Sequence, residues 1–247
     1  MSDLGRYAHT TLWVARVICL LIGGVARAAG QQAHDLAHPR SVPETSVVVV
    51  GYLGGFERWD DPHRGVRRLA QRLNTIPGVR AETVSNHRRK PALQWLKRCL
   101  DANQDGHLSL DERNEARIIL YGQSLGGAAA VDTARDLDAL GVPVLLTVQV
   151  DSVGLHDNVI PPNVRQAVNL FQNGRLTLRG QSRILASDPA RTRTVTNIGY
   201  SYPWPPSQLR ESTWIRRVFG GGHARMEADP LIWKQVEQYI SHTILGR

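Results

Sequence analysis

Two cysteines, two methionines, three phenylalanines and three lysines are all that this 247-residue chain holds of those four types. So few cysteines exclude a disulfide-built scaffold. With 22 glycines, 13 prolines and no repeat, collagen-like and low-complexity readings are excluded as well. No uninterrupted apolar run approaches the roughly 20 residues that a bilayer core requires, so no stable membrane span is expected. The lysine shortage is made up by arginine, which accounts for most of the formal charge of +8. Those arginines are scattered from Arg6 to Arg247 without a long run, so the excess reads as coding bias and no nucleic-acid partner is expected. What is present, 42% hydrophobic and 21% charged residues, is the composition of a soluble globular protein. The length fits one large domain, or at most two small ones.

The N-terminus is set apart. Arg6 and Arg16 precede the apolar stretch 17–26, which runs into Ala26-Arg27-Ala28. A positive start, a short apolar core and an A-x-A site together read as a signal peptide at 1–28, with export to the periplasm or medium, or membrane anchoring if it stays uncleaved. Cleavage after Ala28 removes Cys19 and leaves Cys99 unable to pair within the chain. Residues 29–44, with His34, His38, Pro39 and Pro43, are polar and aperiodic and read as a linker, leaving 45–247 as one domain.

Within that domain strands and helices alternate. The β-branched run 47–50 predicts a buried strand closed by Gly51-Tyr52-Leu53-Gly54-Gly55. Asp61-Pro62 predicts a helix start, with Val66, Leu69, Ala70 and Leu73 at helical spacing. Strands are predicted at 79–84, 117–121, 144–150, 166–172 and 192–198, and helices at 91–100, from 125 to 140, and at 230–244. This order predicts an α/β fold with a mostly parallel sheet flanked by helices.

The chemistry starts at Gly122-Gln123-Ser124-Leu125-Gly126. This matches G-x-S-x-G, in which the serine sits on a sharp strand-to-helix turn and small neighbours let the helix lie close to the sheet. Here a buried strand ends just before it and Gly126-Gly127-Ala128-Ala129-Ala130 opens a helix just after. A serine hydroxyl is a weak nucleophile unless a base takes its proton and a third group orients that base. In this architecture the order is Ser, then Asp or Glu, then His. Only His156, His223 and His242 follow Ser124. His223, on a loop after Gly220-Gly221-Gly222, is the favoured base. Asp151, at the end of a strand, is the favoured acid, with Asp157 and Asp188 as competitors.

On these residues the chain resembles the α/β-hydrolase superfamily, of the serine esterase and lipase kind, over roughly residues 45–245. The resemblance implies an oxyanion hole from the backbone N–H of Leu125 and a second N–H from Tyr52 or Leu53. Gly51 stands where a histidine often stands in that family's loop.

A second motif is independent of the first. Asp101, Asn103, Asp105, Gly106, the carbonyl of His107, Ser109 and Glu112 fall at the diagnostic positions of the twelve-residue EF-hand calcium loop, with Leu108 at its apolar position. Only six residues remain for an exiting helix before the next strand, and there is no second loop to pair with. The motif therefore resembles a calcium-binding insertion, and a structural Ca²⁺ is expected.

Tyr200-Ser201-Tyr202-Pro203-Trp204-Pro205-Pro206, with Trp214 and Phe219, offers an apolar lining for a small ester or lipid substrate. Two functions follow from the sequence. One is an exported serine hydrolase acting on an ester or thioester; the other is a non-catalytic calcium-binding protein that keeps a hydrolase-like fold.

Overall fold

The computed structural model describes residues 46–55, 57–174, 179–202 and 221–246. The leader and linker read at 1–28 and 29–44, and the aromatic segment from 203 to 220, lie outside the described residues.

Eight strands are described: β1 (Val47–Leu53), β2 (Val79–Ser85), β3 (Ile118–Gln123), β4 (Val144–Val150), β5 (Val159–Ile160), β6 (Val164–Gln172), β7 (Leu185–Ala186) and β8 (Thr194–Tyr200). Six of them form one sheet in the order β2-β1-β3-β4-β6-β8, and every neighbouring pair is parallel. The short strands β5 and β7 pair separately. Helices α1 (Gly65–Leu73) and α6 (Pro230–Ile244) cover one face, and α2 (Arg89–Leu100) and α4 (Leu125–Ala139) the other. Two short helices complete the set, α3 (Leu110–Asn114) and α5 (Gly222–Ala228). The fold is thus a parallel sheet flanked by helices.

Period-two alternation explains why both faces are apolar. Val48, Val50 and Tyr52 of β1 pack with Trp95 and Leu96 of α2 and with Ala130 and Val131 of α4. Val47, Val49 and Leu53 pack instead with Leu69 and Leu73 of α1 and Trp233 and Val236 of α6. Strands buried on both sides read as unbroken apolar runs, as 47–50 does. Each fully buried Val or Leu contributes about 1.5–3 kcal/mol relative to an exposed one.

Tertiary pairing shifts several boundaries. β1 runs on through Tyr52 and Leu53, which stand opposite Val84 and Ser85. β3 runs on through Gly122 and Gln123, opposite Gln149 and Val150. α1 begins at Gly65 and not at Asp61, because the Asp61 carboxylate accepts the His63 N–H at 2.9 Å and the Arg64 Nε–H at 3.0 Å and holds a turn there. α2 starts two residues before Pro91, which its first turn tolerates. α6 keeps the expected bounds, with Pro230 in its first turn and the Asp229 carboxylate capping the Leu231 N–H at 2.9 Å.

Because the strands are parallel, all their C-terminal ends meet at one edge of the sheet. Ser124 and Asp151 follow β3 and β4 at that edge, the usual ligand side of such sheets. The loop 101–112 precedes β3 and so lies at the opposite edge.

Candidate active site

Ser124 joins β3 to α4 with φ +56° and ψ −127°, a backbone conformation that costs a non-glycine residue about 1–3 kcal/mol. Three backbone bonds hold it there. Its N–H donates to Val150 O at 3.0 Å, and its carbonyl accepts from Gly127 at 3.0 Å and Val153 at 3.1 Å. The turn also needs missing side chains. A Cβ on Gly122 would stand 2.2 Å from the Gly126 carbonyl oxygen, and one on Gly126 would stand 2.0 Å from the Tyr52 carbonyl oxygen.

Asp151 is the first residue past β4 and also has positive φ, +43°. Its carboxylate is fully buried. Oδ1 accepts the Gly180 N–H at 2.9 Å and the Gln172 N–H at 3.2 Å. Oδ2 accepts the Nδ1–H of His223 at 2.6 Å. Gly180 comes this close because it lacks a Cβ, which would fall 2.4 Å from the Asp151 carbonyl carbon.

His223 lies in the first turn of α5, where the sequence suggested a loop, and Gly222 seats that helix against the side chain of Gln172. Its Nε2 accepts the Ser124 hydroxyl at 2.9 Å. Ser124, Asp151 and His223 are 8%, 0% and 7% exposed, so this chain of hydrogen bonds is almost wholly shielded from water. Fixed Nδ1–H donation leaves the Nε2 lone pair facing the hydroxyl, the arrangement that a general base requires.

The competing residues fall elsewhere. His156 and His242 are exposed. Asp157 is buried and accepts the Ser152 hydroxyl at 2.5 Å, with burial pushing its carboxyl above the usual range. Asp188 accepts the Ala190 N–H at 3.0 Å in a surface turn.

Leu125 is the first residue of α4, where a backbone N–H has no acceptor within the helix. Tyr52 and Leu53 both remain inside the β1 ladder. The first residue beyond that ladder is Gly54, which lies against the nucleophile: a Cβ there would stand 3.0 Å from Ser124 Cβ. The Gly54 N–H donates to Glu57 Oε2 at 3.2 Å, and Glu57 Oε1 accepts from Arg64 at 3.0 Å. Arg64 also stands 3.8 Å from Glu227 on the helix that carries His223. Burial pushes the Glu57 carboxyl up to about 7, against the pull of Arg64.

Gln123, 3% exposed, donates from Nε2 to His223 Nε2 at 3.3 Å. A polar residue ending a buried strand beside the nucleophile was its sequence signal. Gly54 belongs to the loop that the sequence marks after β1, whereas nothing in the sequence pointed to Glu57, which meets Arg64 only after folding.

At the far edge, the 101–112 loop turns at Gly106, φ +84°. Asp101 accepts the N–H groups of Asp105 and Gly106 at 3.1 and 2.9 Å, and Asp105 accepts that of His107 at 2.8 Å. Asn103 Oδ1 accepts the Asp105 N–H at 3.0 Å. Ser109 and Glu112 form a capping box at the start of α3, and Glu112 also accepts the Ala102 N–H at 2.8 Å, closing the loop. This oxygen-only set suits a hard cation. Among the described residues no three His, Cys, Asp or Glu side chains converge on one point.

Of the aromatic segment, Tyr200 and Tyr202 are described. Their hydroxyls meet Gln235 and Asp229 at the start of α6, Tyr202 at 2.8 Å. Among the described residues no helix is long and apolar enough to cross a membrane.

No protein-family model and no curated protein matches the sequence. Solved structures do resemble the fold. A dienelactone hydrolase from Anabaena variabilis is 12% identical, with 81% of this chain and 86% of that one covered and a TM-score of 0.42. A cutinase-like protein from Cryptococcus sp. is 13% identical, with 81% and 95% covered and a TM-score of 0.42. Human thioesterase 2 is 12% identical, with 81% and 96% covered and a TM-score of 0.39.

Proposed function

We propose that the protein is an exported serine hydrolase that cleaves a carboxylic ester or thioester of a small molecule or lipid. The observation that carries this reading is the unbroken line Ser124 Oγ, His223 Nε2, His223 Nδ1, Asp151 Oδ2, with contacts of 2.9 and 2.6 Å, beside the N-terminus of α4. Ser124 Oγ attacks the carbonyl carbon while His223 Nε2 takes its proton. Asp151 holds the ring and balances the imidazolium. The Leu125 N–H stabilises the oxyanion, a contact of a kind worth about 10²–10³ in rate. His223 then protonates the departing alcohol or thiol, and water repeats the cycle on the acyl-enzyme.

Export rests on the Arg6, Arg16, 17–26 and Ala26-Arg27-Ala28 pattern. N-terminal sequencing of the mature protein is expected to begin at Ala29. Calcium rests on the donor order of Asp101, Asn103, Asp105, the His107 carbonyl, Ser109 and Glu112. Those residues would hold the ion, whose role is structural, remote from the reacting atoms.

A fluorophosphonate probe tests the reading. Wild-type protein is expected to be labelled and Ser124→Ala not. Folded, calcium-loaded wild type that takes no label supports the non-catalytic calcium binder instead. Nitrophenyl esters of increasing chain length then define the acyl group.

A further inference from the structure

We infer that Gln123 is a positioning residue for the base: its carboxamide serves the two protonation states of His223 with its two different ends. The inference rests on the hydrolase reading above. Two observations carry it. Gln123 Nε2 lies 3.3 Å from His223 Nε2, the same nitrogen that takes the Ser124 proton, whose hydroxyl is 2.9 Å away. The other end of the same carboxamide, Oε1, is buried and accepts no hydrogen bond from the described residues.

A buried carboxamide oxygen without a donor is destabilising. It rests in the space left by the missing side chain of Gly54, where a Cβ would stand 2.2 Å from it. Gln123 is therefore packed as a flat plate between Gly54 and His223, with one end engaged and the other idle.

In the resting state the ring is neutral. Nδ1–H donates to Asp151, Nε2 carries a lone pair, and the Gln123 amide N–H donates weakly to it beside the serine hydroxyl. When Ser124 attacks, its proton moves to Nε2, and Oγ forms its bond to the carbonyl carbon. Nε2 is now an N–H donor and repels the amide N–H. Rotation of the carboxamide by half a turn about its terminal torsion, which is broad and roughly two-fold, brings Oε1 to the place that Nε2 had occupied. The idle acceptor thereby becomes a partner of the imidazolium, while the proton stays available for the leaving group. Besides the Ser124 hydroxyl, the acidic groups that act on the ring are Asp151 from the end of β4 and Glu57 from the β1–α1 connection. Gln123 adds a neutral acceptor, which stabilises the imidazolium without fixing it in the resting state.

The test uses the full-length protein with its best nitrophenyl ester. Gln123→Met keeps the length and removes both hydrogen-bonding ends. Its kcat is expected to fall about 10–100-fold with KM within twofold, the range for losing a hydrogen bond to a charged group. Gln123→Glu places a permanent, charged acceptor there, and the acid-side fall of its pH–rate profile is expected to move up by about one unit. A kcat within twofold of wild type in Gln123→Met overturns the inference, and so does an unmoved acid limb in Gln123→Glu. Should Gln123→Met not fold, Gln123→Ala makes the same comparison. Fluorophosphonate labelling of the wild type separates the two levels. If Ser124 is labelled and Gln123 proves indifferent, only the role of Gln123 fails. If Ser124 is not labelled, the hydrolase reading fails and the role of Gln123 falls with it.

Discussion

The backbone N–H of Gly54 donates to the carboxylate of Glu57 at 3.2 Å, immediately beside Ser124. One carboxyl oxygen of Glu57 thus occupies the first backbone donor beyond β1, and Arg64 holds the other. Burial is the main reason that the Glu57 carboxyl titrates near 7, with Arg64 opposing and Glu227 reinforcing the shift. Between the ordinary glutamate range and about 7, the folded chain keeps a proton that the unfolded chain has lost. The contribution of Glu57 to stability is therefore greatest below that window, falls as pH rises through it, and is level above about 7. Glu57→Gln cannot ionise, so its melting temperature relative to wild type is expected to be about 3–8 °C more favourable at pH 8 than at pH 5. Equal differences at the two pH values would count against this assignment.

Asp151 has both carboxylate oxygens engaged, one with backbone N–H groups and one with His223. Asp151→Asn keeps the shape and loses the charge that holds the ring in the required tautomer. Its kcat is expected to drop about 10³–10⁴-fold with little change in KM. A loss below tenfold in steady-state kinetics would mean that another group orients His223.

Calcium is expected to act on stability and not on turnover. The 101–112 loop and Ser124 stand at opposite ends of β3, which at about 3.3 Å per residue separates them by roughly 20 Å. For a site of about 10⁻⁴ M affinity, saturating Ca²⁺ is worth about 2.7 kcal/mol. Melting temperature is therefore expected to fall by about 5–10 °C on chelation, with kcat at 25 °C unchanged. Glu112→Gln is expected to abolish the calcium response. A melting curve indifferent to Ca²⁺ would remove the ion from the account.

Gly126→Ala forces α4 away from β1, because the new methyl meets backbone oxygen and not a flexible side chain. A loss of about 3 kcal/mol is expected, or some 6–12 °C in thermal melting. Gly78→Ala, in open space but at φ +74°, is the comparison, with about 1 kcal/mol expected from backbone conformation alone.

What could be read ahead of folding depended on whether a signal is local. β4 and α6 kept their expected bounds because a run rich in Val and Leu and an Asp-Pro cap mark them within the chain. The ends of β1 and β3 did not, since Leu53 and Gln123 are strand only by virtue of Ser85 and Val150 beside them. Ser124 was legible from its flanking glycines, and Asp151 from its place at a strand end. The helix under His223 was hidden by the glycine run before it, which lowers helix propensity until contact with Gln172 overrides it. Glu57 and Arg64 lie seven residues apart without a motif, so only the turn at Asp61 brings them together.

The three residues of the hydrogen-bonded line come from distant parts of the chain, His223 lying 99 positions after Ser124 and 72 after Asp151. The last of them sits on a helix whose seat includes β6, since Gly222 rests on Gln172. The hydrogen-bonded line is therefore a property of the finished molecule alone. A chain still being synthesised holds Ser124 without the His223 ring beside it until the C-terminal helices arrive.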